Sequence, residues 1–186
     1  MLTIHAPLAV RTTADGEPLP GYAVAVEGDR IAALGPLDEL AAAYPTARVR
    51  RWSGTLGPGR CAADAAARLE AAYHPDPREV GLPDIPSTEP LTGSALAALA
   101  MDEVRWGHSA RRGLQRLLRE GVTSLVGPFT RPAVRTAVRR SGLTVLPAPR
   151  PGTLTVGARA DLAVHDEPDG SCLATILAGR LLHRRT

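Results

Sequence analysis

The sequence predicts a mixed fold, with β structure at both ends of the chain and an α/β segment inserted between them. Three observations carry this. Short apolar runs separated by glycine-containing turns fill 1–59 and return over 152–186. Between them, longer stretches repeat apolar residues at helical spacing. Aromatic residues are only 3% of the chain against an apolar share of 44%, so Ala, Leu and Val must fill the core. That suits layered sheets better than one deep pocket. The expected architecture is a β-sandwich built by the N- and C-terminal strands, with 60–151 as the insertion.

The elements follow in order. Leu2–Ile4 and Ala9–Thr12 are short strand candidates. Tyr22–Val26 and Arg30–Leu34 flank Gly28-Asp29, two residues that tolerate the positive φ of a tight hairpin. "GPLDELAAAYP" is expected to form a short helix, with Pro36 in its first turn and Asp38 and Glu39 near the positive end of its dipole. Ala47–Trp52 is a further strand. The alanine-rich stretch from Cys61 to Tyr73 favours helix. Pro75, Pro77, Pro83, Pro86 and Pro90 then exclude regular structure and define a proline-rich loop over 75–90.

"SALAALAMDEVRW" and "SARRGLQRLLREG" both carry helical spacing, with Leu114, Leu117 and Leu118 on one side and Gly121 as the stop. "VTSLVG" is a strand. "TRPAVRTAVRRSG" is a helix with Thr130 as its cap and Gly142 as its stop, and "LTVLP" is the next strand. This order implies a parallel strand pair joined by a right-handed crossover, a small βαβ unit. In the tail, "ADLAVHD" alternates, "EPDGS" turns, and "CLATILAGRLLHR" holds two strands about Ala178-Gly179.

The 186 residues suit one domain, or one domain with a sizeable insertion. The formal net charge is +3, and all 22 basic residues are arginine. Acidic residues interleave with them, and Arg50-Arg51, Arg139-Arg140 and Arg184-Arg185 are scattered pairs, so nucleic-acid binding is not favoured. Two cysteines, Cys61 and Cys172, do not make a disulfide framework. Met1-Leu2-Thr3 opens no basic-then-apolar leader, and no apolar run reaches the ~18 residues of a membrane span. A cytoplasmic location away from membranes is expected. Neither a Gly-x-Gly-x-x-Gly nor a Walker-type loop occurs, so no nucleotide-phosphate cradle is inferred.

None of the 5 histidines, His5, His74, His108, His165 and His183, has a histidine partner at local metal-ligand spacing. His74 beside Asp76 is the best local catalytic candidate. Ser109, next to His108, is read as a helix cap. His165 interrupts an apolar strand, where it would face solvent or satisfy a carbonyl. Cys61 lies near an expected helix start, a place that lowers thiol pKa values, and is the second catalytic candidate. Cys172 starts a strand and reads as a core residue. Arg111, Arg112, Arg116 and Arg119 line the outer side of one helix and are the candidates for an anionic or partner surface.

Taken together, "VAVEGDRIAALGPLDELAAAYPTARVRRWSGTLGPG" at the front and "GTLTVGARADLAVHD" at the back resemble the frame of the amidohydrolase superfamily. These are metal-dependent hydrolases of imidazolonepropionase-like or deaminase-like type. The likeness rests on the Leu-x-Pro-Gly turn ending at Gly59, and on Gly152, Leu154, Gly157, Ala160, Asp161 and Leu162. "LATILAGRLLHRR" resembles the family's closing hairpin, and the "GVTSLVG" region is similar to an early barrel segment. The resemblance implies a composite β-sandwich carrying a barrel. Here the stretch between Gly59 and Gly152 is far shorter than the ~250 residues a full (β/α)₈ barrel takes, and leaves a βαβ remnant.

In the family the Pro-Gly turn leads to His-x-His, whose i, i+2 spacing puts both ligands on one strand face. Carried onto this sequence, the motif falls on Asp64 and Ala66. Alanine has no donor atom, and a catalytic zinc takes about three protein ligands. The expectation is therefore a non-catalytic accessory, binding or assembly module without a cofactor, with a second copy or a partner protein covering its apolar faces. One alternative is a zinc-dependent hydrolase or deaminase acting on non-peptide C–N bonds, with ligands from Asp64, His74 and Asp76 or from another subunit. The other is an anion or nucleic-acid binder that uses the arginine-rich helix.

Overall fold

The structure, a computed structural model, describes residues 2–76 and 89–185. Most of the expected proline-rich loop, 77–88, lies outside the described residues. The chain divides into two compact units: Met1–Cys61, Leu118–Ser124 and Arg150–Thr186 form the first, Ala62–Leu117 and Leu125–Pro149 the second.

The first unit opens with strands β1 (Leu2–Ala6), β2 (Ala9–Val10), β3 (Leu19–Pro20), β4 (Tyr22–Glu27) and β5 (Arg30–Pro36). Helix α1 (Leu37–Ala43) follows, then β6 (Arg48–Arg51), β7 (Thr55–Pro58) and β8 (Arg60–Ala62). Next in the chain come α2 (Ala65–Glu70), α3 (Gly93–Ala97), α4 (Glu103–Arg119), β9 (Val122–Val126), α5 (Pro132–Ser141) and β10 (Thr144–Leu146). The strands β11 (Leu162–His165), β12 (Cys172–Leu177) and β13 (Arg180–Arg184) return to the first unit.

Three sheets result, ordered β5-β4-β1-β6, β13-β12-β11-β7-β2-β3 and β10-β9-β8. In the six-stranded sheet the two ends of the chain meet. Thr55–Pro58 of β7 pairs antiparallel with β11, placing Leu56 opposite Val164 and Pro58 opposite Leu162. Strand alternation then sorts the side chains. Val24 and Val26 of β4 and Ile31 of β5 join Leu56, Leu162, Val164, Ala174 and Ile176 in one buried cluster, so two sheets share a core. The other face of β4 carries Ala23 and Ala25, which pack with Ile4, Ala6 and Leu40 of α1. Small residues on that face let the helix approach. Each fully buried Leu or Ile contributes roughly 1.5–3 kcal/mol.

The expected hairpins are present. Glu27 pairs with Arg30 around Gly28, whose φ is +59°. Between β12 and β13, Ala178 (φ +49°) and Gly179 (φ +72°) give the two successive positive values of a type I′ turn.

The second unit departs from the sequence reading in several places. The stretch expected to be helical from Cys61 to Tyr73 instead ends β8 at Ala62, and helix is confined to Ala65–Glu70. Cys61 therefore sits inside a strand, not at a helix start; pairing beside β9 outweighs alanine's helical preference. Ser109 does not cap a helix. It lies mid-way along α4, fully buried in the stripe Trp106, Ser109, Ala110, Gly113, Leu114 and Leu117. Thr130 is not a cap either, since α5 starts after Arg131 with Pro132 in its first turn. Gly142 does stop α5, at φ +75°.

Candidate functional site

A cleft of about 190 Å³ opens in the first unit, walled by Arg11, Thr55, Pro58, Arg60, His165 and Glu167 among others. β7 and β11, antiparallel neighbours, bring Thr55 and His165 directly opposite each other. The Glu167 carboxylate lies 3.6 Å from the Arg11 guanidinium. The Thr55 hydroxyl, then Arg11, hold that carboxyl below its usual range. Arg11 also donates to the Gly16 carbonyl at 3.1 Å. Arg60 makes no ion pair among the described residues; it donates only to the Glu120 carbonyl at 3.4 Å and the Gly170 carbonyl at 3.3 Å.

His165 does not face solvent, one of the two settings the sequence suggested; its ring approaches the Gly170 backbone instead. Both ring nitrogens are buried without a well-aligned hydrogen-bond partner. Burial, followed by the Arg60 charge, lowers its pKa, with the Gly170 backbone and Glu167 pulling more weakly the other way. The ring lies against Gly121, where an added Cβ would come within 2.8 Å of it.

The glycines and the aspartate that carry the resemblance form a structural bracket beside this cleft. An added Cβ on Gly59 would fall 2.1 Å from the Thr123 hydroxyl, and one on Gly152 would fall 2.6 Å from Pro58. Gly59 donates to the Asp161 carbonyl at 3.0 Å and Ala160 donates to the Asp29 carbonyl at 2.8 Å. The Asp161 carboxylate accepts from Ala178 at 2.8 Å and pairs with Arg159 at 3.1 Å. These residues tie the two chain ends together and hold nothing chemical.

In the second unit, His74 and Asp76 do come together, around Arg112. Arg112 donates through Nε to the His74 carbonyl at 2.6 Å and sits 3.6 Å from the Asp76 carboxylate. The ring of His74 is buried, with Nε2 2.9 Å from the Arg68 carbonyl and Nδ1 without a partner. Burial lowers its pKa, and the charges of Arg116, Arg68 and Arg112 push it the same way. Ser109 is no nucleophile for it. The hydroxyl accepts from the backbone amide of His74 at 2.9 Å and donates to the Ala72 carbonyl at 3.4 Å. The network anchors the segment after α2 onto α4.

That leaves the arginine helix divided. Arg111 and Arg119 are exposed, whereas Arg112 and Arg116 are half-buried, and Arg112 is engaged inward. A different convergence escaped the sequence reading. Arg50 and Arg184, from two scattered pairs, both approach the Trp52 ring, at 5.9 and 5.8 Å from its centroid. Only the pairing of β6 and β13 into their sheets could bring them together.

Residues 23–47 match a family described as the imidazolonepropionase-like composite domain of bacteria. That span covers β4, β5 and α1, the hairpin and helix around which both cores of the first unit are built. Over that span the chain is similar to an imidazolonepropionase-like composite domain. No curated protein matches the chain by sequence. Among solved structures, the fold is similar to molinate hydrolase (TM-score 0.52, 18% identity, 78% of this chain and 29% of that one). It is also similar to a zinc-bound adenosine deaminase from Xanthomonas campestris (TM-score 0.52, 17% identity, 77% and 33%) and to A. niger ochratoxinase (TM-score 0.50, 18% identity, 80% and 30%). The chain spans about a third of the length of these proteins. At these identities the likeness is one of fold: mixed sheets with few helices, in a partial match to an amidohydrolase-like architecture.

The fold likeness to a zinc-bound deaminase raises the question of zinc. The residues here do not fit it. Asp64 is exposed at the head of the six-residue α2, and Ala66 offers no donor. Among the described residues no group of three His, Cys, Asp or Glu side chains could hold a metal ion. Cys61, half-buried in β8, and the His74–Asp76 pair supply no such set.

Proposed function

We propose that the chain is a non-catalytic, amidohydrolase-related binding or assembly module. One observation carries the reading: where the Pro58-Gly59 turn should lead to paired ligands, the chain places an exposed Asp64 and an Ala66 on a short helix. Water activation in this frame depends on a metal held by about three protein donors with one position open. The first unit instead presents a small cleft, with charged side chains on its wall, beside its own structural bracket. Association with a second copy or a partner protein belongs to the same reading.

The deciding experiment measures metal content and solution mass of freshly purified protein, then assays cyclic amides and aminopurines with zinc added. Sub-stoichiometric metal and no turnover are expected. Stoichiometric zinc together with hydrolysis overturns the module reading in favour of a C–N hydrolase.

A further inference from the structure

We propose that the cleft bounded by Arg11, Thr55, Arg60, His165 and Glu167 binds a small, singly charged carboxylate. The inference deepens the binding-module reading and rests on it. A volume of about 190 Å³ lies below the roughly 300–1,000 Å³ of pockets for drug-sized ligands, which restricts the occupant to a few heavy atoms.

Charge selects its class. Arg11 and Glu167 largely compensate each other at 3.6 Å. Arg60 is left as the cation without a carboxylate partner among the described residues, its guanidinium held only by two long bonds to carbonyls. An arginine fork matches a carboxylate in a two-point geometry. With Arg11 engaged by Glu167, a second negative charge would find no further cation on the described walls of the cleft, so a monoanion suits it better than a phosphate dianion.

His165 adds the second, independent observation. Both ring nitrogens are shielded from solvent and make no well-aligned hydrogen bond, an unfavourable arrangement that a bound acceptor would relieve. Small rearrangement of the ring toward an oxygen in the cleft would let its N–H donate. Thr55, directly across the β7–β11 pair, keeps its hydroxyl on Glu167 and so fixes that carboxylate on the wall.

The test uses the full chain labelled with ¹⁵N and follows the His165 ring signals while acetate, lactate or inorganic phosphate is added at constant ionic strength. Lactate and acetate should shift these signals saturably and raise the apparent pKa of His165, with phosphate at least tenfold weaker. Arg60→Gln should weaken carboxylate binding about tenfold or more, whereas Arg30→Gln, elsewhere on the surface, should leave it unchanged. Arg60→Lys, which keeps the charge but loses the fork, should fall between the two. The proposal is overturned if a folded Arg60→Gln protein binds as the parent does, if phosphate binds as tightly as lactate, or if no probe shifts His165. Zinc uptake with turnover would instead overturn the module reading, so the two failures are distinguishable.

Discussion

The carboxylate of Asp161 accepts the backbone amide of Ala178 at 2.8 Å, a bond that spans from the foot of β11 to the turn joining β12 and β13. Ala178 is the one non-glycine residue with positive φ among the described residues, at +49°. Backbone held there costs of order 1–3 kcal/mol and persists only where its surroundings impose it. Asp161 supplies that imposition while its own carbonyl accepts from Gly59. Replacing Asp161 by Ala should leave the half-buried amide unpaired and lower stability by about 1–3 kcal/mol in chemical denaturation. Asp161→Asn retains an acceptor oxygen and should recover most of the loss, because the partly exposed pair with Arg159 adds little. Equal losses in the two variants would show that the carboxylate charge, and not the turn bond, is what matters.

A second prediction concerns close backbone approach. An added Cβ on Gly54 would fall 2.2 Å from the His165 carbonyl oxygen, a contact with main chain that no side-chain rotation relieves. Gly54→Ala should therefore cost about 1–3 kcal/mol through overpacking and shift β7 against β11. Gly35 in β5 meets nothing within 4 Å, so Gly35→Ala should be neutral or gain about 0.5 kcal/mol from a stiffer unfolded chain. Thermal melts of the two variants side by side provide the check, and a stable Gly54→Ala would contradict the packing described.

Stability should also depend on pH through His5. Its ring stacks on Trp52 with 6.1 Å between centroids and accepts the indole N–H at 3.2 Å. Burial, then the charge of Arg50, lowers its pKa from 6.5 to about 4. Between those values the unfolded chain binds a proton that the folded chain does not, so stability falls as pH drops from 6.5 toward 4 and levels off below. The contribution of this residue is about 3 kcal/mol across that window. His74, His165 and His183 are shifted the same way, so the parent slope is a sum. His5→Gln, which still offers an acceptor to Trp52, should flatten the slope between pH 4 and 6.5. An unchanged slope would place the titration elsewhere.

How far the sequence revealed this protein depends on what each signal is. Period-two alternation and Gly-Asp or Ala-Gly turns are local, and the hairpins at Gly28 and Gly179 were legible for that reason. The glycines at 59 and 152 were visible as a pattern, but their cause, the side chains of Thr123 and Pro58 that fill the space of a Cβ, is a tertiary contact. Alanine runs misled at Cys61, because propensity is weak where a strand partner is available. The cleft was invisible: Arg11, Arg60 and the neighbours His165 and Glu167 come from three separate stretches and meet only through the β2–β7 and β7–β11 pairings. His74 and Asp76 were seen as neighbours, yet the arginine that unites them comes from α4.

Helix α5 gives the last prediction. Arg131 at its N-cap makes no side-chain cap bond, and the first-turn amides would be orphans without help from outside the helix. Glu70, the last residue of α2, provides it. One carboxylate oxygen accepts the amides of Thr130 and Arg131, each at 2.7 Å, and the other accepts the Thr130 hydroxyl at 2.9 Å. Glu103 adds a bond from the Ala133 amide at 3.1 Å, so two acidic residues sit at the positive end of the helix dipole. The Arg131 guanidinium meanwhile lies 4.1 Å from the Trp106 ring centroid, fixing the chain where it enters the helix. Glu70→Ala should lower stability by about 1–2 kcal/mol, the range of a lost cap, and Glu70→Gln should lose less. Hydrogen exchange localises the effect. Protection at Thr130, Arg131 and the following turn should fall well before that of β4 or β11, and uniform loss across the chain would show that Glu70 stabilises something other than the start of α5.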